Sequence, residues 1–131
     1  MVPPVRVLTV DDQPLFLAAT RELVDATPGF VVAGEETSGR EALHAVQRLR
    51  PDLVLIDVRM PDMDGIELAR ALAEAGVDAV VVLVSGDDLE TIRPLFGDSG
   101  AVALVQKERL RPALLQELWA VGQTRSHASD S

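Results

Sequence analysis

The chain has 131 residues, of which 47% are hydrophobic, and this length and composition predict one domain with a substantial core. The net charge of −9 argues against nucleic-acid binding by this chain, because phosphate contacts need clustered lysine and arginine. The lack of cysteine excludes disulfides and thiolate metal sites, and it agrees with a cytoplasmic location. We expect no membrane segment, because the longest apolar run, Ala79–Val84, is far shorter than the roughly 20 residues that a membrane helix needs. The start of the chain, Met1–Pro4, has no features of a signal peptide.

Apolar runs of strand length alternate with helical patterns along the chain. The predicted strands are Val5–Val10, Phe30–Ala33, Leu53–Asp57, Val80–Val84 and Ala101–Val105. The predicted helices are Gln13–Ala26, a second from a capping box at Ser38 to about Arg50, a third from a cap at Asp64 to about Glu74, a fourth from about Asp88, and a fifth from near Leu110 to Val121.

Two regions carry no predicted role in a site. Glu35 and Glu36 follow the second strand, where we expect a solvated turn. Residues 1–121 form the predicted domain, and the small polar residues 122–131 are predicted to be a flexible tail or the start of a linker. We expect His44 on a helix surface and His127 in the tail.

Strict alternation of strands and helices predicts an α/β fold with a single doubly wound, five-stranded parallel sheet of flavodoxin-like order 2-1-3-4-5. In such a sheet the C-terminal ends of strands one, three, four and five line one crevice. Those strand ends carry Asp11, Asp12, Asp57, Ser85 and Lys107. Each residue alone has an ordinary explanation as a helix cap, turn former or surface charge, but all five meet at one edge.

Three neighbouring carboxylates repel one another unless a cation intervenes, and oxygen ligands of this kind suit Mg²⁺. Lys107 adds a fixed positive charge, and Ser85 adds a hydroxyl that can donate to an anionic oxygen. Together these groups are suited to phosphoryl transfer onto Asp57. The sequence contains no Walker loop and no GxGxxG after the first strand, so a nucleotide site is not predicted.

With Met60-Pro61 and Asp64-Gly65 after the central aspartate, this set of residues resembles the receiver domain of two-component response regulators over about Val5–Val121. The run from Asp11 to Leu15, and an acidic residue after Lys107, look most like the NarL/LuxR-type branch.

The resemblance implies a role for each site residue. Asp57 would accept a phosphoryl group from the phosphohistidine of a histidine kinase or from a small acyl phosphate. Asp12, Asp57 and the backbone carbonyl of Arg59 would hold Mg²⁺, with Asp11 contributing through water. Ser85 and Lys107 would contact the phosphoryl oxygens. The domain would then catalyse only its own phosphorylation and dephosphorylation, and would not be an enzyme acting on other substrates.

The sequence departs from the family pattern at two places and suggests one further contact. Leu104 occupies the usual position of an aromatic switch residue. Pro94 and Gly97 fall within the fourth helix, which we therefore expect to be short, kinked or mobile. Arg59 and Asp87 each lie two positions after a site residue, and we expect them to pair across the site and slow dephosphorylation.

The expected partners are a sensor histidine kinase and, if the chain is a fragment, a C-terminal DNA-binding domain that is missing here. A stand-alone receiver that works through protein contacts stays open. A homodimer is also possible, with Leu114, Leu118 and Val121 as candidates for an apolar face, although such stripes are more often plain core.

Three other functional classes are weighed against this prediction. A pseudo-receiver would keep the fold without phosphorylation, but such domains usually lose an acidic or lysine position that is present here. A haloacid-dehalogenase-like phosphatase needs a second aspartate two residues after the nucleophile, where this chain has Arg59. A flavodoxin-like cofactor binder is disfavoured, because an acidic crevice without a metal repels phosphate.

Overall fold

The computed structural model describes the backbone of residues 2–130 and the side chains of residues 2–124. Its elements, in chain order, are β1 (Val5–Val10), α1 (Pro14–Asp25), β2 (Phe30–Glu36), α2 (Gly39–Leu49), β3 (Leu53–Asp57), α3 (Gly65–Glu74), β4 (Val80–Ser85), α4 (Arg93–Phe96), β5 (Ala103–Gln106) and α5 (Pro112–Asp130). All strand pairs are parallel, and the sheet order is β2-β1-β3-β4-β5, so the predicted fold is confirmed. Single 3₁₀ turns at Leu89–Thr91 and Lys107–Arg109 precede α4 and α5.

The central strand β3 is buried along its whole length. Its side chains alternate between two cores: Leu53 and Leu55 pack on the face that also holds Leu115 and Leu118 of α5, whereas Val54 and Ile56 pack on the face covered by α2 and α3. A strand covered on both faces needs apolar residues at every position, which explains the uninterrupted run before Asp57. The strand therefore holds the main chain at Asp57 firmly in place.

Both predicted helix caps are confirmed. The Ser38 hydroxyl oxygen accepts a hydrogen bond of 3.2 Å from the Glu41 amide at the start of α2, and the Asp64 carboxylate accepts one of 2.9 Å from the Glu67 amide at the start of α3. Each cap satisfies an amide that the first helical turn leaves without a partner.

The prediction of a solvated turn at Glu35 and Glu36 is wrong, because β2 continues through both residues. The pairing of β1 with β2 shifts its register around Ala33, and such a bulge lets the strand pass Gly34 without ending. Glu35 instead forms an ion pair of 2.7 Å with Arg21 on α1.

Helix α5 runs to Asp130, past Val121, where the sequence pattern predicts that it fades. The segment from Gly122 to Asp130 has no proline, so a helix nucleated upstream has no breaker that forces it to end. The flexibility of residues 122–131 stays a prediction, and the side chain of His127 lies outside the described residues. His44 is exposed on α2, as predicted.

The prediction of a short fourth helix is confirmed, since α4 has four residues. Pro94 stands in its first turn, where the missing amide costs little, and Gly97 follows as its C-cap. No helix within the described residues has the length and apolarity that crossing a membrane requires.

Candidate functional site

The five predicted site residues all lie at the C-terminal edge of the sheet. Asp57 and Ser85 are the last residues of β3 and β4, Asp11 and Asp12 directly follow β1, and Lys107 directly follows β5. Because the strands are parallel and adjacent in the order β1-β3-β4-β5, their C-terminal ends meet at this edge.

Three carboxylates form the centre of the site. Asp11, Asp12 and Asp57 each offer an oxygen, and these atoms all lie within 4.8 Å of one another. Asp11 and Asp57 are buried, with 0% and 5% of their surface exposed, whereas Asp12 is exposed. The cluster therefore has two carboxylates anchored in the protein and one that faces solvent.

Lys107 supplies the positive charge within this cluster. Its ammonium lies 2.6 Å from Asp11 Oδ2 and 3.5 Å from Asp57 Oδ2. It also donates to Gln13 Oε1 at 3.2 Å and lies 4.4 Å from the centre of the Phe16 ring. The lysine is thus held between the β1–α1 loop and Asp57, with its closer contact to Asp11.

Burial raises the pKa of Asp57 to about 6, and the neighbouring Asp11 carboxylate adds to this rise, while Lys107 and the Arg59 amide oppose it. The Arg59 amide donates to Asp57 Oδ1 at 3.3 Å. The site therefore disfavours the negative charge on Asp57, and one ammonium only partly offsets that cost.

Gly65 brings the start of α3 against the main chain of the central aspartate. A Cβ atom at Gly65 would lie 2.2 Å from the Asp57 carbonyl oxygen, and the Gly65 amide donates to the Val58 carbonyl at 2.8 Å. Because only glycine fits this close approach, the residue that follows the "MPDMD" run of the sequence has to be glycine.

The chain matches the family model for the response regulator receiver domain over residues 7–118. It belongs to the receiver domain family of response regulators.

Two curated relatives illustrate the range of proteins in which such receivers occur. A protein-glutamate methylesterase/protein-glutamine glutaminase from Methanospirillum hungatei is 34% identical over 105 residues, which cover 79% of this chain and 30% of the relative. A C4-dicarboxylate response regulator, DctR, from Halalkalibacterium halodurans is 31% identical over 118 residues, covering 87% of this chain and 51% of the relative. The chain thus spans at most about half the length of these relatives.

Among solved structures, the signal receiver domain of NarL from Mycobacterium tuberculosis superposes with a TM-score of 0.85 at 29% identity, covering 93% of this chain and 98% of the other. The predicted resemblance to receiver domains of the NarL/LuxR-type branch is confirmed at the level of sequence family and structural neighbours.

In this receiver domain Ser85 is 2% exposed, and its hydroxyl oxygen accepts from the Asp87 amide at 3.0 Å. Strand register pairs Asp57 with Val84, so Ser85 is one residue further along the neighbouring strand. Since its oxygen is the acceptor in that bond, its hydroxyl hydrogen remains available to an incoming anion. Leu104, at the switch position, is partly buried against the core on the side of α2 and α3.

The predicted pairing of Arg59 with Asp87 is present in the receiver domain. The Arg59 guanidinium forms an ion pair with the Asp87 carboxylate, and the Arg59 side chain is largely exposed while that of Asp87 is about half exposed. An open cavity of about 590 Å³ lies beside Arg59, and Asp12, Met60 and Thr91 are among the other residues that line it. The ion pair therefore joins the loop that follows Asp57 at the end of β3 to the loop that follows Ser85 at the end of β4.

The residues of the receiver domain fit a hard divalent cation. The donor atoms that the site offers are carboxylate oxygens, which suit Mg²⁺. Asp11 Oδ2 is buried and accepts no hydrogen bond of good geometry. It contacts the Lys107 ammonium. A cation is also the partner that three crowded carboxylates require. Whether the Arg59 carbonyl completes the ligand set stays a prediction.

Sequence reasoning missed Gln13 and Phe16, which hold Lys107. They lie more than 90 residues from Lys107 in the chain, and their types have ordinary explanations as an exposed polar residue and a core aromatic. The one available signal was their place soon after the Asp11-Asp12 pair, with Gln13 just before α1 and Phe16 in its first turn, because α1 starts at the same edge of the sheet.

Proposed function

We propose that this receiver domain accepts a phosphoryl group on Asp57, from the phosphohistidine of a sensor histidine kinase or from a small acyl phosphate, and that it needs Mg²⁺ to do so. The observation that carries the proposal is the placement of Lys107 between Asp11 and Asp57 beside an exposed third carboxylate. This arrangement supplies a nucleophile, a fixed cation and a set of metal ligands within one small volume.

In the proposed reaction, a carboxylate oxygen of Asp57 forms a bond to phosphorus as the bond from phosphorus to the donor breaks, and the donor leaves with its electron pair. Lys107 donates to the phosphoryl oxygens after a small shift from its present position 3.5 Å from Asp57. Ser85 donates its hydroxyl hydrogen to another of these oxygens. When bound, Mg²⁺ would supply charge neutralisation for the phosphoryl group. Asp12, Asp57 and the Arg59 carbonyl are the groups that would hold it, and Asp11 would contribute through water.

Attack by water on the aspartyl phosphate releases inorganic phosphate and resets Asp57. The ion pair of Arg59 with Asp87 joins the loops that follow Asp57 and Ser85, the two strand ends beside which this water would attack. We infer that the pair slows the reset by restricting entry of water.

The output of the receiver is also a proposal. We propose that phosphorylation controls an attached DNA-binding domain, because the resemblance to the NarL/LuxR-type branch, to which the likeness to a NarL receiver domain adds, implies such a domain after the receiver. The methylesterase relatives favour control of a catalytic domain as the second candidate. A homodimer face at Leu114, Leu118 and Val121 has weaker support, because Leu118 is 6% exposed in the core while Val121 is 49% exposed.

The test is incubation with acetyl phosphate, with and without Mg²⁺, followed by intact mass measurement. We expect an adduct of one phosphoryl group that requires Mg²⁺ and is lost in Asp57→Asn. The matched control is Asp52→Asn, which makes the same change just before the start of the same strand, where Asp52 accepts from the Arg6 amide.

An adduct in the control and none in Asp57→Asn supports phosphorylation at the sheet edge. No adduct with any small donor or with phosphorylated kinase would favour the pseudo-receiver, a binding module that does not need phosphorylation.

A further inference from the structure

Asp62 connects the loop between β3 and α3 to a helix that takes no direct part in the site. Its two carboxylate oxygens accept hydrogen bonds from the Gly39 and Arg40 amides, each at 3.1 Å. These amides belong to the first turn of α2, so Asp62 caps a helix that lies more than 20 residues away in the chain. The same bonds lower the pKa of Asp62 from its ordinary value.

Carboxylates of the loop between β3 and α3 cap the N-termini of two helices. Asp64 caps α3 through the Glu67 amide, while Asp62 caps α2. The Asp62 and Asp64 carboxylates both accept hydrogen bonds from backbone amides. Asp57, just before the loop, remains available for the proposed phosphoryl transfer.

Close packing supports the same connection. A Cβ atom at Gly39 would lie 2.9 Å from Met63 Cβ, so the loop approaches α2 as closely as glycine allows. At the other end of the loop, the Val58 amide donates to the Val84 carbonyl at 3.0 Å, and the Gly65 amide returns to the Val58 carbonyl. Asp62 therefore restrains the middle of the loop, and the backbone bonds restrain its ends.

We propose that Asp62 is a positioning residue, which holds the loop from Val58 to Asp64 against α2 so that the Arg59 carbonyl and Asp57 stay in the arrangement that binds Mg²⁺. This inference rests on the proposed function. Residues that orient metal ligands without touching the metal commonly change metal affinity when they are replaced.

The test compares Asp62→Ala with Ser38→Ala. Both changes remove an oxygen that caps α2, but the Ser38 hydroxyl oxygen lies on the same segment as the Glu41 amide it caps, whereas the Asp62 carboxylate reaches α2 from the loop. For Asp62→Ala we expect the Mg²⁺ dissociation constant, measured by calorimetry, to rise about tenfold. In the metal-free protein, we expect amide hydrogens of residues 58–63 to exchange faster. Ser38→Ala should leave both quantities unchanged.

Equal changes in the two variants would overturn the proposal, because general loosening of α2 would then explain them. Unchanged affinity and exchange in Asp62→Ala would also overturn it. If Asp62→Ala does not fold, Asp62→Asn, which keeps one carbonyl oxygen, replaces it, and wild-type values for both quantities in that variant would overturn the proposal. A wild-type protein that binds no Mg²⁺ would contradict the proposed function, whereas the exchange measurement in metal-free protein decides the role of Asp62 separately.

Discussion

At the scale of single residues, Asp57 has surroundings that oppose its own charge. Its pKa is raised to about 6 by burial and by Asp11. A raised carboxyl pKa means that the folded state favours the neutral acid. The neutral Asp57 side chain therefore contributes to the stability of the folded state. This contribution is fully present below the ordinary pKa of 3.8 and is lost as the pH rises through about 6.

Asp57→Asn is therefore expected to be more stable than the wild type in EDTA at pH 8, by roughly 1–3 kcal/mol, because the amide cannot ionise. The difference should shrink by about 1 kcal/mol between pH 8 and pH 5 and approach zero below about pH 4. Urea unfolding of both proteins at each pH measures it. A difference that does not change with pH would contradict the raised pKa.

Arg59 offers a second test at this scale. Its guanidinium pairs with Asp87 between the loops that follow β3 and β4. If this pair restricts water as proposed, Arg59→Ala should shorten the half-life of the aspartyl phosphate severalfold. Asp87→Ala should have the same effect. The double variant should shorten the half-life no more than either single variant, because each of the three variants breaks the same ion pair. Arg93→Ala, a change of the same kind on α4, is the control. A half-life in Arg59→Ala that is unchanged or longer would count against the gate.

The strand ends explain why the site residues were predictable from the sequence. An apolar run that stops at a carboxylate, serine or lysine marks the end of a buried parallel strand, and parallel order brings such ends together. The partners of these residues were not predictable. Asp62 looks like any turn residue, and its contact with the Gly39 amide depends on how α2 packs in three dimensions.

At the scale of elements, the contact of α3 with β3 sets the position of Asp57. Gly65→Ala should destabilise the domain by about 1–3 kcal/mol, because its methyl group would meet the Asp57 carbonyl, and it should slow phosphorylation. Gly97→Ala is a matched control with open space around it and a helical φ of −55°. The control should be neutral or slightly stabilising. Urea unfolding and acetyl phosphate labelling measure the two effects, and equal behaviour of the two variants would rule out the steric explanation.

Element order was predicted better than element length. Alternation of strand and helix patterns determined the topology, since right-handed crossovers leave few alternatives. The end of β2 was missed because Gly34 reads as a terminator, although here it lies in a bulged strand packed against Leu49 of α2. The end of α5 was missed because small polar residues have no strong preference that marks where a helix stops.

At the scale of the whole molecule, added cations can stabilise this chain of net charge −9 in two ways. Salt screens general repulsion, whereas a bound Mg²⁺ stabilises only the folded state, by about 2.7 kcal/mol at one hundred times its dissociation constant. We expect MgCl2 to raise the free energy of unfolding more than NaCl at the same ionic strength. In Asp12→Asn, which removes one of the three clustered carboxylates, the two salts should act more nearly alike. An equal gain from both salts in the wild type would contradict a specific metal site.

The central claim is that Asp57 receives the phosphoryl group. The most direct measurement is to label the protein with acetyl phosphate and Mg²⁺, reduce the acyl phosphate with borohydride, and locate the modified residue by peptide mass spectrometry. We expect one modified residue, Asp57, and none when Mg²⁺ is withheld. Modification at Asp11 or Asp12 instead, or labelling that does not depend on Mg²⁺, would contradict it.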